Sequence, residues 1–312
     1  MPSADHLLPR DQQGARSQQL LIVLLGDYWH LRPEPIPSAA LVSLLELFDV
    51  TPAGGRAAVQ RLAKRGFLVS TRHGRTTSYA VSGMSKESVD AHVQLLFRSH
   101  ITPPWDGTWS VVAYSLREDQ RNTRNALRER LRQSGFGNVH DGLWIRPGDR
   151  RRDVDAIVRE LPAPPEDGQL TVFADARLGS GQDLLVARGA FELEALAAAY
   201  GDFVERWEPL QTRLDALSST ADHGDILRLR TSLMRDWREL RHADPMLPRV
   251  LIGDDSPFER ALAVCSTIYD ATGPAAEAAF RRVLRPHSDD LAQLASHHTF
   301  RAYADDPGTA GP

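Results

Sequence analysis

Leu21, Leu24, Leu25 and Tyr28 recur at the i, i+3, i+4, i+7 spacing of one helix face, which predicts an amphipathic helix over residues 16–31. The prolines of RPEPIP break that pattern, because a proline carries no N–H and its ring clashes with the preceding turn. A second stripe, Leu41, Leu44, Leu45 and Phe48, predicts another helix that opens at a Ser38 cap. Asp49 and Val50 leave room only for a short turn before a third helix, in which Thr51 is the N-cap and Pro52 takes the first helical position. Ala58, Val59 and Leu62 line its inner face, and Gly66 is placed to end it. Residues 67–69 then read as a short strand, 72–75 as a tight turn and 76–81 as a return strand. Three helices followed by a two-stranded hairpin are the pattern of a winged helix-turn-helix.

Residues 85–100 predict a connecting helix, ended by Thr102, Pro103 and Pro104. Next come a strand at 109–115, a helix at 118–133, strands at 136–140 and 142–146, a helix at 153–161 and a strand at 170–174. That order, βαββαβ, is a ferredoxin-like unit. From residue 183 onward the signals are helical: 191–217, 226–242, 257–272 and 274–284, the last two separated by Pro274. The expected fold is α+β and multidomain: a disordered tail at 1–16, the winged helix-turn-helix at 17–83, a linker helix at 84–104 and the ferredoxin-like domain at 105–177. A helical C-terminal dimerisation and effector domain follows at 178–302, then a disordered tail at 303–312.

Charge sharpens the reading of the N-terminal third. The chain has a formal net charge of -4, yet residues 51–85 contain no Asp or Glu and hold six cations: Arg56, Arg61, Lys64, Arg65, Arg72 and Arg75. A one-signed island in a mildly acidic chain points to a polyanion, double-stranded DNA, against the alternative of a solvated helix face. A recognition helix turns its N-terminal residues toward the bases. That makes Ala53, Gly54, Arg56, Ala57 and Gln60, beside the cap Thr51, the candidates for base edges. Arg56 has the fork for a guanine and Gln60 the amide for an adenine. Arg61, Lys64 and Arg65 suit phosphates, while Arg72 and Arg75 reach toward an adjacent groove or backbone. Gly54 and Gly55 each weaken a helix by about 1 kcal/mol relative to Ala, so they mark either close approach to DNA or a poor first turn.

No phosphate loop of Walker or Rossmann type and no HExxH run occurs, so neither cofactor nor metal is expected. His297 and His298 have no partner at ligand spacing and read as an exposed helix end. Cys265, the single cysteine, lies beside Val264 and Ile268 and reads as a buried, inert thiol in a cytoplasmic protein. No apolar run approaches the ~20 residues of a membrane span, so no membrane partner is expected. One cluster does suit a ligand: Arg230, Arg235, Trp237, Arg238, Arg241 and His242 lie on one predicted helix. Guanidiniums beside an aromatic ring suit phosphates and an adenine, and they equally suit an Arg/Trp stack that locks two helices together.

The segments LLGDYW, RLAKRGFL, WDGTW, LRLRTSLMRDWREL and DPMLP, in that order between about residues 16 and 285, resemble the PaaX family of bacterial repressors of phenylacetic acid degradation. The resemblance implies a cytoplasmic, non-enzymatic homodimer on a palindromic operator. It also implies a small-molecule effector, a coenzyme A thioester such as phenylacetyl-CoA. In that family the middle domain is similar to the small CRISPR-associated integration protein, which raises a metal-dependent nuclease as an alternative. Such a site needs a carboxylate at the end of the first strand; Ser115 stands there, with Glu118 and Asp119 opening the next helix. An activator, or a regulator without an effector, is the further alternative.

Overall fold

The computed structural model describes residues 15–29, 32–98, 104–163, 165–166, 168–214, 221–253 and 255–304. Of the expected tails at 1–16 and 303–312, residues 1–14 and 305–312 lie outside those residues, as does the end of the linker at 99–103, while Ala15 and Arg16 belong to the first helix and Tyr303 and Ala304 to the last. The fold is mixed α+β with two small sheets. Along the chain run α1 (Ala15–Trp29), β1 (Ile36–Pro37), α2 (Ser38–Glu46), α3 (Pro52–Lys64), β2 (Leu68–His73), β3 (Thr76–Val81) and α4 (Gly83–Arg98). Next are β4 (Trp109–Tyr114), a 3-10 turn (Glu118–Gln120), α5 (Arg121–Gln133), β5 (Gly137–His140), β6 (Leu143–Pro147), α6 (Arg151–Arg159) and β7 (Leu170–Ala176). Then come α7 (Gln182–Ala190), α8 (Leu193–Gln211), α9 (His223–Ala243), α10 (Arg249–Ile252), α11 (Phe258–Leu284), α12 (Asp289–Leu294) and α13 (Phe300–Ala304). Two compact units divide the chain: one comprises residues 1–100, 203–241 and 260–312, the other residues 101–202 and 242–259.

In the first unit, the predicted stripe on α1 is buried: Leu21, Leu24, Leu25 and Tyr28 are at most 3% exposed. It meets Leu41, Leu44 and Leu45 of α2 and Ala58, Val59 and Leu62 of α3, all equally buried. Helices of the C-terminal half complete the core. Tyr28 stacks on Phe280 of α11 with ring centroids 4.9 Å apart, and Trp29 lies on the same ring at 6.4 Å. Phe97 of α4 sits among Tyr269, Phe300 and Tyr303, while the Trp237 indole donates to the Leu96 carbonyl at 3.2 Å.

Several expectations for this unit need correction. Ser38 is already helical, and Pro37 occupies the cap position without a side-chain bond. α2 ends at Glu46, which leaves Phe48 outside the helix. The strand β1 was not anticipated: Ile36 pairs with Tyr79 and Pro37 with Ser78, giving a sheet of order β1-β3-β2. A two-residue strand carries no periodicity, and proline is tolerated on an edge. α11 is one helix through Pro274, where two were expected. Proline costs about 3 kcal/mol in a helix interior, but buried residues on both sides, Ile268 and Tyr269 before it and Ala276 and Phe280 after it, hold the two halves to one core.

The second unit is built on a four-stranded antiparallel sheet of order β5-β6-β4-β7. Alternation puts Val112 and Trp144 on one face, in a cluster with Leu127 and Leu131 of α5 and Val154 and Ile157 of α6. Trp109 and Ile145 fall on the other face, with Ala187, Phe191, Leu247 and Leu251. That second cover includes α7, which the sequence pattern missed because Leu184 and Leu185 are exposed while the small Ala187 is buried. The Phe191 ring lies so close over Gly137 that a Cβ there would meet it at 2.7 Å, so only glycine fits.

Candidate nucleic-acid interface

The helix α3 is fixed at both ends by its own sequence. Thr51 Oγ1 accepts from the Gly54 N–H at 3.2 Å, and Pro52 fills the first turn without leaving a donor unpaired. At the other end Gly66 takes a φ of 81°, with Gly66 N–H bonded to the Ala63 carbonyl at 3.0 Å and Phe67 N–H to the Leu62 carbonyl at 2.9 Å. These paired bonds are the Schellman arrangement, which requires a left-handed residue. The chain therefore leaves α3 directly into the hairpin.

The inner face of α3 is Gly55, Ala58, Val59 and Leu62. Turned away from it and exposed are Ala53, Arg56, Gln60, Arg61 and Lys64, with Gly54 and Ala57 half-buried. The two glycines serve packing. A Cβ on Gly55 would stand 3.3 Å from Val42 Cγ1 of α2, and one on Gly54 would crowd Thr51 Oγ1 at 3.2 Å. Close helix contact and the cap thus give each glycine a packing reason within the chain.

β2 is longer than expected and runs to His73, which pairs with Thr76 across a two-residue turn, Gly74-Arg75. Gly74 has a φ of 59°, the conformation this tight turn demands at its first position. Arg72 thus lies on the strand, its Nε donating to the Gly74 carbonyl at 3.3 Å, and Arg75 lies at the tip. Arg72, His73 and Arg75 are all exposed, and His73 joins the candidates. Its signal was the RHGR run itself.

None of Arg56, Arg61, Lys64, Arg65, Arg72 and Arg75 pairs with a carboxylate among the described residues. Several arginines of the second unit behave otherwise: Arg128 is held by Asp141, Arg130 by Glu160, and Arg151 by Asp149 at 2.5 Å. Of the six, Arg65 has one guanidinium nitrogen 3.5 Å from Gln18 Oε1 on α1 and Arg72 has its bond within the hairpin. The exposed face of α3 and the hairpin tip thus carry uncompensated positive charge, as a surface for phosphates requires.

The second predicted cluster is not brought together. Arg230 is fully buried and spends its donors on the protein: Nε to the Tyr269 carbonyl at 3.1 Å, one terminal nitrogen to the Tyr28 hydroxyl at 2.7 Å, the other to the His298 carbonyl at 2.7 Å. Its guanidinium lies 3.5 Å from the Tyr269 ring centroid and 3.8 Å from Asp27. Burial pushes the Asp27 carboxyl up to about 6, against the pull of Arg230, and raises the Tyr28 and Tyr269 phenols as well. Trp237 and Arg241 are buried too, with the Arg241 guanidinium 5.7 Å from the Trp237 ring. Burial lowers Arg238 to about 10. Arg235 is half-buried and His242 exposed. Arg230, Trp237 and Arg241 therefore lock helices together.

Elsewhere, His297 and His298 are half-buried rather than exposed, and His297 Nδ1 meets Glu277 at 2.5 Å. Cys265 is a buried free thiol whose pKa burial raises. Ser115, Glu118 and Asp119 are exposed, and among the described residues no three His, Cys, Asp or Glu side chains gather as a metal would need.

Three family models match the chain in succession: PaaX-like protein over residues 16–85, the PaaX protein central Cas2-like domain over 102–183, and the PaaX-like protein C-terminal domain over 191–282. Over 260 residues the chain is 26% identical to the transcriptional repressor PaaX of Escherichia coli (strain K12), a match spanning 82% of this chain and 80% of that protein. It also shares its fold with a solved structure of an uncharacterized protein from Mycobacterium tuberculosis. That likeness has a TM-score of 0.52 at 21% identity and covers 89% of this chain and 98% of that one.

Proposed function

Because the chain belongs to the PaaX family, we propose that it is a transcriptional repressor, a regulator rather than an enzyme, which binds double-stranded DNA through α3 and the β2–β3 hairpin. The observation that carries this reading is the set of six cations in residues 51–85 that no carboxylate compensates among the described residues. α2 and α3 joined by a short turn, with a hairpin directly after, support a winged helix-turn-helix within residues 17–83. The antiparallel order β5-β6-β4-β7 supports the ferredoxin-like reading of residues 105–177.

In this reading α3 enters the major groove, with Arg56 and Gln60 at base edges near Thr51, Ala53, Gly54 and Ala57. Arg61, Lys64 and Arg65 lie on phosphates, and Arg72 and Arg75 on the neighbouring backbone. A homodimer with two such helices reads a palindrome, because two-fold protein symmetry demands two-fold symmetry in the site. Release by an acyl-CoA effector such as phenylacetyl-CoA rests on family membership. No helix among the described residues is long and apolar enough to cross a membrane, which accords with a cytoplasmic regulator.

The test is selection of bound fragments from the source genome, followed by titration of the selected site. The double variant Arg56→Ala, Gln60→Ala is expected to lose discrimination between that site and unrelated DNA. Undiminished discrimination would remove these two residues as readers, and failure of the wild-type chain to retain any fragment would sink the DNA reading.

A further inference from the structure

Within the first unit a cleft of about 460 Å³ opens between α1, the turn that precedes α3, and α9. Its size is that of a small-molecule site. Its charge is one-sided: Arg16, Arg228 and Arg235 line it against a single carboxylate, Asp49. Its apolar wall is Leu20 and Val23 of α1 with Phe48 and Val50 of the turn. Thr231, on the α9 side, is 2% exposed, and its hydroxyl has no hydrogen-bond partner among the described residues. A buried polar atom left unpaired is uncommon and costs about 1–3 kcal/mol, so it asks for a partner.

The three arginines differ in how firmly they are engaged. Arg228 is occupied: it donates to the Leu47 carbonyl at the end of α2 and to Asp225, both at 2.6 Å. Arg16 has no ion partner among the described residues. Arg235 reaches only its neighbour Asp236, at 3.1 Å, and Asp236 is also held by Arg206 at 3.0 Å and the Trp207 indole at 3.2 Å. Arg235 can therefore turn to a ligand without leaving a carboxylate bare.

We infer that this cleft binds an organic anion, with its charged group between Arg16 and Arg235 and its aromatic or acyl part against Phe48 and Val50, and that occupancy is transmitted to α3. The transmission is short. Phe48, Asp49 and Val50 lead straight into the Thr51 cap, and Asp49 is held in the left-handed region at a φ of 61°, a conformation a non-glycine residue adopts at a cost. A ligand seated on this turn biases the placement of α3 by whatever it gains from one placement over another. The regulatory part of the inference rests on the DNA-binding reading of α3.

The charge can come from a free carboxylate or from the phosphates of a coenzyme A thioester, and the experiment separates these sources. The full chain is titrated calorimetrically with phenylacetate, with phenylacetyl-CoA and with inorganic phosphate. The same titrations are made with Arg235→Gln and with Ser232→Trp, whose indole would fill the cleft. Binding of phenylacetate or phenylacetyl-CoA is expected, weakened about tenfold or more in Arg235→Gln and abolished in Ser232→Trp. Should Ser232→Trp fail to fold, Arg235→Gln decides alone, since Arg235 is only half-buried and its one carboxylate partner, Asp236, keeps Arg206 and the Trp207 indole. Binding of neither organic anion, or binding unchanged by the variants, overturns the inference. DNA affinity of the wild-type chain, measured with and without saturating ligand, is expected to change at least about fivefold. A wild-type chain that holds no DNA defeats the function proposed above. One that holds DNA unaltered by a ligand bound in the cleft defeats the transmission argued here.

Discussion

Arg230 on α9 donates to the hydroxyl of Tyr28 on α1 at 2.7 Å, across a separation of 202 residues. The same guanidinium holds two carbonyls, so the last third of the chain grips the helix that backs α3. Removing one partner of a buried charged network leaves the others uncompensated, at a cost of about 3–5 kcal/mol. Arg230→Ala is therefore expected to lose that much in urea unfolding, and Tyr28→Phe about 1–2 kcal/mol. Equal stability of Arg230→Ala and wild type would show that the network is dispensable.

Asp27 beside it gives a pH signature. Its carboxyl is raised from 3.8 to about 6, chiefly by burial, so the folded state holds its proton where the unfolded chain has released it. Stability from this group is present below about pH 4 and is lost as pH rises through 6. The difference in unfolding free energy between wild type and Asp27→Asn is expected to shift by about 2 kcal/mol against the wild type from pH 4 to pH 7. Parallel curves for the two proteins across that window would contradict the assignment.

Folding and DNA binding separate at adjacent positions. A Cβ on Gly55 would press on Val42 at 3.3 Å, whereas Arg56 is exposed and has no carboxylate partner among the described residues. Gly55→Leu is expected to cost about 1–3 kcal/mol of stability. Arg56→Ala should stay within about 0.5 kcal/mol of wild type in the same melt, yet bind its site more weakly.

Salt dependence reports how many phosphates are engaged. About four per protomer give a dimer a slope of log affinity against log salt of roughly −7. Arg72→Ala is expected to reduce that slope by about two per dimer while leaving discrimination between sequences intact. A slope near zero in the wild type would contradict phosphate contacts altogether.

The sequence made α3 legible because the signals that shape it are local: a Thr-Pro start, an inner stripe and a left-handed glycine lie within one stretch. The antiparallel sheet of the second unit was legible for a similar reason, since three of its four strands, β4, β6 and β7, are rich in apolar residues between turns. What could not be read depends on distant partners. The strand at Ile36 and Pro37 exists only because β3 lies beside it. The arginines of α9 looked like a ligand cluster because charge was weighed before position. Yet Arg230 and Arg241 fall in register with Leu227, Met234 and Trp237 on the buried stripe, while Arg235 falls off it. Position on the helix wheel, more than residue type, separates the guanidiniums of α9 that build the core from Arg228 and Arg235, which line the cleft.

The stacking of Tyr28 and Trp29 on Phe280 sets an order of events during synthesis. α1 leaves the ribosome about 250 residues before that ring does, and at 5–20 residues per second the wait lasts on the order of tens of seconds. Throughout it the aromatic end of α1 stays uncovered and open to chaperones or to misassembly. A chain arrested before Phe280 is translated would carry every residue proposed for DNA but not the ring on which Tyr28 and Trp29 stack, so the support beneath α3 is completed only once translation has nearly finished.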